Sequence, residues 1–179
     1  IRTIGISEST ISQKIDLITH YYQNCKIGYY PSTKGVDLRI SGYSMKNVNE
    51  LISKVKKTIS RFVYSENIQT MEEVVVSLLK QKKKTISTAE SCTGGLISNR
   101  ITNISGSSEI FRGSVISYSN QSKIKLLNVG KDVIDKFGAV SKEVASLMSK
   151  NALKLFSSDY ALSVTGIAGP LGGTKDKPV

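Results

Sequence analysis

Three stretches of this sequence combine hydroxyl, thiol, carboxylate and glycine residues at spacings that could do chemistry. The first is Thr88-Ala89-Glu90-Ser91-Cys92-Thr93-Gly94-Gly95, between a strand-like run and a helix-like one. Amides exposed at a helix N-terminus, beside hydroxyls and glycines that permit close approach, suit an anionic or polar ligand. A capped strand-to-helix turn would look the same. The stretch lacks both the lysine of a phosphate-binding loop and the spacing of a dinucleotide loop. The second stretch is Gly106-Ser107-Ser108, followed by Tyr118-Ser119-Asn120 and Lys123. A serine nucleophile needs a proton acceptor, and a desolvated neutral lysine can fill that role, with tyrosine relaying or holding the proton. The bland alternative is an ordinary turn, a strand-to-cap transition and a surface lysine. The third is Thr165-Gly166-Ile167-Ala168-Gly169-Pro170, a glycine loop after an apolar run, where a ligand could touch backbone.

The single histidine, His20, narrows the chemistry. Any Ser-His or Cys-His apparatus within this chain would have to run through it. No HExxH or paired CxxC motif occurs, so no metal site is expected. Cys92 as a nucleophile is disfavoured, because a free cysteine is more often packing. An enzyme built from this sequence therefore draws its base from Lys, Tyr or a carboxylate.

These residues need elements to position them. The first 65 residues read as helix, hairpin, helix. Ile4, Ile6, Ile11, Ile15 and Ile18 recur near helical spacing, with Ser7 or Ser9 as N-cap. Two β-rich runs flank a Pro-Ser-Thr-Lys-Gly turn, with Val36, Leu38 and Ile40 alternating against Asp37 and Arg39. Val48, Leu51, Ile52, Val55, Ile59 and Phe62 then share one helical face. From residue 66 the pattern changes. Thr70 caps a helix whose buried face is Val74, Val75, Leu78 and Leu79. Strand-like runs at TISTAES, GSVISY and DYALSV alternate with helical ones, the strongest beginning after Ser141 with Val144, Met148, Ala152 and Leu155 in line. Such alternation implies a mostly parallel sheet covered on both faces, with ligands bound beyond the strands' carboxyl ends. The expected fold is α/β, in two parts. A small α+β domain over 1–65 precedes an incomplete three-layer α/β domain over 66–179.

At 179 residues and 39% hydrophobic content the chain is too apolar for disorder, and no apolar run approaches a membrane span. Its two cysteines give no disulfide framework, which fits a reducing compartment. The net charge of +11 invites a nucleic-acid reading, but the excess divides as +6 over 1–65 and +5 over 66–179. The one dense run, Lys80 with Lys82–Lys84, ends a helix and meets its dipole favourably.

Taken in order, TAESCTGG, GSSEIFRGSVISYSNQSK, GAVS and TGIAGP resemble the CinA family of competence/damage-inducible proteins, and Ile1–Val63 more loosely resembles that family's KH-like middle domain. The resemblance implies a C-terminal amidohydrolase domain of the PncC type. Such a domain converts nicotinamide mononucleotide to nicotinic acid mononucleotide and ammonia, with no cofactor and no metal. It implies Ser108 as nucleophile, Lys123 as base and Tyr118 as relay or orienting donor. Ser91 would polarise the carboxamide, with nucleophile as its alternative role. Glu90 would orient the site, and Thr93, Gly94, Gly95, Thr165, Gly166 and Gly169 would hold substrate.

The resemblance further implies a cytoplasmic homodimer whose parent chain carries an N-terminal domain similar to molybdopterin-binding proteins. The chain starts at Ile1 and stops in loop-like sequence at Val179, whereas the family's domain continues further. An internal fragment with little activity of its own is expected. The first 65 residues contain no GxxG, the loop with which KH modules clamp a nucleic-acid backbone, so a nucleic-acid partner is disfavoured there. The competing function class is a basic nucleic-acid or protein interaction module, linked to DNA uptake or damage response, without catalysis.

Overall fold

The computed structural model describes residues 1–179 and divides into two compact units, Ile1–Val74 and Val75–Val179. The first contains β1 (Arg2–Thr3), α1 (Glu8–Thr19), β2 (Cys25–Ser32), β3 (Gly35–Gly42), α2 (Met45–Thr58) and β4 (Val63–Ser65). Its antiparallel sheet has the order β2-β3-β1-β4. Helix α1 starts where Ser7 Oγ accepts the Thr10 amide, and α2 where Ser44 Oγ accepts the Asn47 amide. Both helices lay their apolar stripes on one sheet face. Ile11, Ile15, Leu51 and Val55 meet Val36 and Leu38 there, each at most 4% exposed. Truncating Leu51 to alanine is expected to cost about 2–5 kcal/mol, read as a lower denaturant midpoint for this unit.

Two strands here carry no periodic signal, because β1 and β4 span only two and three residues. Ile4 and Ile6 lie on the connection from β1 to α1 rather than in the helix. The turn between β2 and β3 is the pair Thr33-Lys34. Gly35 is fixed by β1: a Cβ there would sit 1.9 Å from the Thr3 carbonyl oxygen, so only glycine lets the two strands pair at this point.

The second unit follows the strand-helix alternation. Helix α3 (Met71–Lys82) begins in the first unit and continues into the second. After it come β5 (Ile86–Glu90), α4 (Leu96–Thr102), β6 (Phe111–Ile116), α5 (Asn120–Leu127), α6 (Lys131–Phe137), α7 (Lys142–Phe156) and β7 (Tyr160–Val164). Thr70 and Glu73 form a reciprocal capping box at the start of α3. The buried residues of α3 are Val76 and Leu79. Val75 packs against them while Leu78 is 46% exposed, so the helix keeps Val75 and Leu79 inward and is turned by about one residue from the expected phase.

The sheet is parallel, in the order β6-β5-β7. One layer packs Val76, Leu79, Ile101 and Ile110 on one face, and a second packs Ala89, Val144, Met148 and Ala152 on the other. The three-layer α/β expectation therefore holds. Helix α6, seven residues long, carries too few apolar positions to be seen by periodicity. No helix of either unit is long and apolar enough to cross a membrane.

Candidate active site

Strand β5 lies in the centre of the sheet, with β6 reached first and β7 placed on its other side. The carboxyl ends of β5 and β7 thus form the switch point where α/β folds open a crevice. The chain leaves β5 at Glu90 and β7 at Val164, and the Ser91 amide donates to the Val164 carbonyl at 3.0 Å. Ser91 is therefore tied to both strands.

The turn after Ser91 is built on Gly94 and Gly95, both in the left-handed region at φ +58° and +100°. A side chain at Gly95 would also strike Ile116. This double turn brings the first amides of α4 back over the end of β5. Glu90 fills that position. Its carboxylate accepts from Thr93 Oγ1 (2.7 Å), from the amides of Gly95 (3.0 Å), Ile97 (3.1 Å) and Ser98 (2.8 Å), and from Ser98 Oγ. Burial would raise its pKa, but the hydrogen bonds from Ser98, Thr93 and the α4 amides outweigh burial and hold it below the ordinary carboxylate value.

This arrangement corrects one expectation. The amides at the start of α4 serve an internal carboxylate and are not open to an anionic ligand. Glu90 welds the Ser91 turn to the helix. Replacing it with alanine orphans five donors, so a loss of several degrees in melting temperature is expected, with Glu90→Gln losing less.

Lys123 comes from α5. Ser119 caps that helix through the Ser122 amide, and the first turn directs Lys123 inward, where only 1% of the residue is exposed. Lys123 Nζ lies 2.9 Å from Ser91 Oγ, 2.9 Å from the Ser117 carbonyl and 3.1 Å from the Tyr118 carbonyl. Burial lowers the lysine's pKa from its ordinary value, with only the neighbouring Cys92 pulling the other way. When Lys123 is neutral, its two N–H groups suit the two carbonyls, and its lone pair is left facing the Ser91 hydroxyl.

The other residues picked out by the sequence divide clearly. Tyr118 is brought to Ser91 and Lys123 through its carbonyl, while its side chain leaves the residue 66% exposed beside the site. Thr93 and Gly95 face Glu90, and a Cβ on Gly94 would meet nothing within 4 Å, so the backbone there is open to a ligand. The Thr165 hydroxyl donates to the Ala139 carbonyl at 2.9 Å, holding the loop before α7. Gly166 packs close to Cys92 Sγ, and Gly169 packs close to Val179.

Ser108 is not brought to this group. It sits exposed in a short 3-10 turn (Ser107–Glu109) before β6, and that turn joins the opposite end of β5, where the Ile86 amide bonds the Ile110 carbonyl. From Ile86 to Glu90 an extended strand spans about 13 Å. Lys123 therefore pairs with Ser91, the alternative of the two serines. Sequence reasoning missed Ser98 and Ser114, which bond Thr88 Oγ1 and brace the strand end. A serine in the first turn after TGG was the available signal for Ser98. The two carbonyls that hold Lys123 have no side-chain signal at all.

The fold and site together define an α/β domain with a buried serine–lysine contact at the switch point of its parallel sheet. Sequence comparison adds the family. The profile of the CinA C-terminal domain matches residues 68–179, and that of the damage-inducible protein CinA KH domain matches residues 1–66. The chain belongs to the CinA family.

A putative competence-damage inducible protein of Caldicellulosiruptor saccharolyticus is 42% identical over 185 residues, covering 100% of this chain and 45% of that protein. A CinA-like protein of Thermosipho melanesiensis is 43% identical over 180 residues, covering 100% of this chain and 44% of that protein. The chain thus spans less than half the length of these relatives. Among solved structures, the competence/damage inducible protein CihA from Agrobacterium tumefaciens aligns with a TM-score of 0.60 and 38% identity, over 65% of this chain and 71% of that one.

Proposed function

We propose that the second unit carries an amidase centre that hydrolyses nicotinamide mononucleotide to nicotinic acid mononucleotide and ammonia. The observation that carries this reading is Lys123 Nζ, buried, carbonyl-held and 2.9 Å from Ser91 Oγ. Neutral Lys123 takes the Ser91 proton as Oγ attacks the carboxamide carbon. The oxyanion meets the amides of Cys92 and Thr93, because those of Ser91, Gly94 and Gly95 are already committed to Val164, Ser91 and Glu90. As the tetrahedral intermediate collapses, the C–N bond breaks and the Lys123 ammonium returns the proton to the departing nitrogen, releasing ammonia. Water, deprotonated by Lys123, then opens the Ser91 ester. The carboxylate leaves and Oγ recovers its proton.

Tyr118 is exposed beside the site, where its phenol can relay the proton from Lys123 to the leaving nitrogen. Glu90 is a positioning residue, since it touches the Ser91 turn and not the substrate. Homodimer formation and a cytoplasmic location belong to the same proposal. The test is ammonia release from nicotinamide mononucleotide. Tyr118→Phe is expected to lower kcat about 10-fold to 100-fold with the fold unchanged, and an unaltered kcat would remove Tyr118 from proton transfer.

A further inference from the structure

The sheet of the first unit is covered by α1 and α2 on one face only. Along β2, Cys25, Ile27 and Tyr29 pack inward, which turns Lys26, Gly28 and Tyr30 outward. On β3 the residues opposite these three are Ser41, Arg39 and Asp37. Three shallow concavities of about 240, 390 and 640 Å³ follow one another along this open face. The first and second share Lys26 and Ser41, and the second and third share Arg39.

The second concavity has a distinctive floor. A Cβ on Gly28 would lie 3.0 Å from Tyr30 Cε2 and 3.2 Å from the Tyr30 hydroxyl oxygen. The outer end of the tyrosine ring therefore lies over the glycine, with the residue still 54% exposed. Arg39 stands beside Gly28 on the next strand, and Lys26 beyond it on the same strand; both are exposed. The acids nearest this track are engaged elsewhere, Asp37 with Arg2 at 3.1 Å and Glu66 with Lys56. An aromatic ring beside two cations that no ion pair engages matches the repeating unit of a nucleic-acid strand, a base followed by a phosphate.

We propose that this sheet face binds single-stranded nucleic acid, with a base stacked on Tyr30 and phosphates on Lys26 and Arg39. The missing GxxG removes the backbone clamp of KH modules, but stacking on an open sheet does not use that loop. Duplex is excluded because its bases are already stacked. A polymer is favoured over a free nucleotide because the concavities continue on both sides of the ring. The inference is independent of the amidase reading, since Tyr30, Lys26 and Arg39 have no part in that site.

The test is fluorescence anisotropy of a labelled oligothymidylate of about 15 nucleotides, a length within the range a sheet platform covers. Micromolar or tighter binding at low salt is expected, with duplex of the same length much weaker and AMP failing to compete. Tyr30→Ala should weaken binding about 10-fold, and Tyr30→Phe should restore it. Lys26→Gln with Arg39→Gln, two exposed changes that leave the core untouched, should flatten the slope of log K against log salt by about 1.4, the value for two lost phosphate contacts to a single strand. No binding at low salt, equal binding of duplex, competition by AMP, or binding indifferent to both sets of variants would each overturn the proposal.

Discussion

Ser91→Ala is expected to abolish ammonia release from nicotinamide mononucleotide, with kcat/KM down at least about 1000-fold. Ser108→Ala should stay within about twofold of wild type. The reason is geometric. Ser91 is the hydroxyl within reach of Lys123, and its amide is anchored to Val164, so Oγ is held at the strand end where a carboxamide can be attacked. Ser108 is exposed at the other end of β5 and has no base beside it. The Ser91 hydroxyl contributes little to folding, since Lys123 retains two carbonyl acceptors without it. The melting temperature of Ser91→Ala should therefore move by only a few degrees. Normal turnover by Ser91→Ala, or its collapse in Ser108→Ala, would return the nucleophile to the 3-10 turn.

Lys123→Met carries the second large effect. Loss of a general base typically costs 10²- to 10⁴-fold, and here the same group also protonates the leaving nitrogen, so about 10⁴-fold is expected. The pH dependence follows from burial. Only the neutral amine accepts the Ser91 proton, so log kcat/KM should rise with pH at unit slope and level off once the lysine has lost its proton. That midpoint should fall below 10.5, the ordinary lysine value, because burial lowers the pKa.

The same shift acts on stability. Between the lowered folded pKa and 10.5 the unfolded chain binds the proton and the folded chain does not. The protein should therefore gain stability as pH rises through that window. Below the window both states are protonated and the cost of burying the ammonium is fully present. Lys123→Met should remove both the alkaline rise in kcat/KM and this gain in stability. A profile that keeps its alkaline limb in Lys123→Met would assign the limb to another group.

Much of the architecture is legible in residue order. The switch from hairpin and helices to alternating strands and helices marks the two folds, and the caps at Ser7, Thr70 and Ser141 mark helix starts correctly. The elements that escape notice are too short to show a period. They are β1 and β4 in the first sheet and α6 in the second unit.

The site was legible in kind but not in pairing. The lone histidine leaves Lys, Tyr or a carboxylate as the base of any enzyme here, and spacing along the chain does not say which serine faces Lys123. That depends on the direction of β5. Ser91 follows its carboxyl end and Ser108 precedes its neighbour β6, so two similar motifs finish at opposite ends of one sheet. The partners of Glu90 were not legible either. Amides at a helix start suggest a cradle for a ligand, whereas α4 folds back and gives them to Glu90. The charge of the first unit was judged by its sum, which conceals how Lys26 and Arg39 frame Tyr30 once the strands pair.

The most direct test of the account is to quench the protein with acid during turnover of nicotinamide mononucleotide and map acylated peptides by mass spectrometry. The predicted result is a nicotinoyl ester on Ser91, accumulating with release of ammonia and absent from Ser91→Ala and Lys123→Met. An ester on Ser108, or turnover to nicotinic acid mononucleotide that proceeds unimpaired in Ser91→Ala, would contradict it.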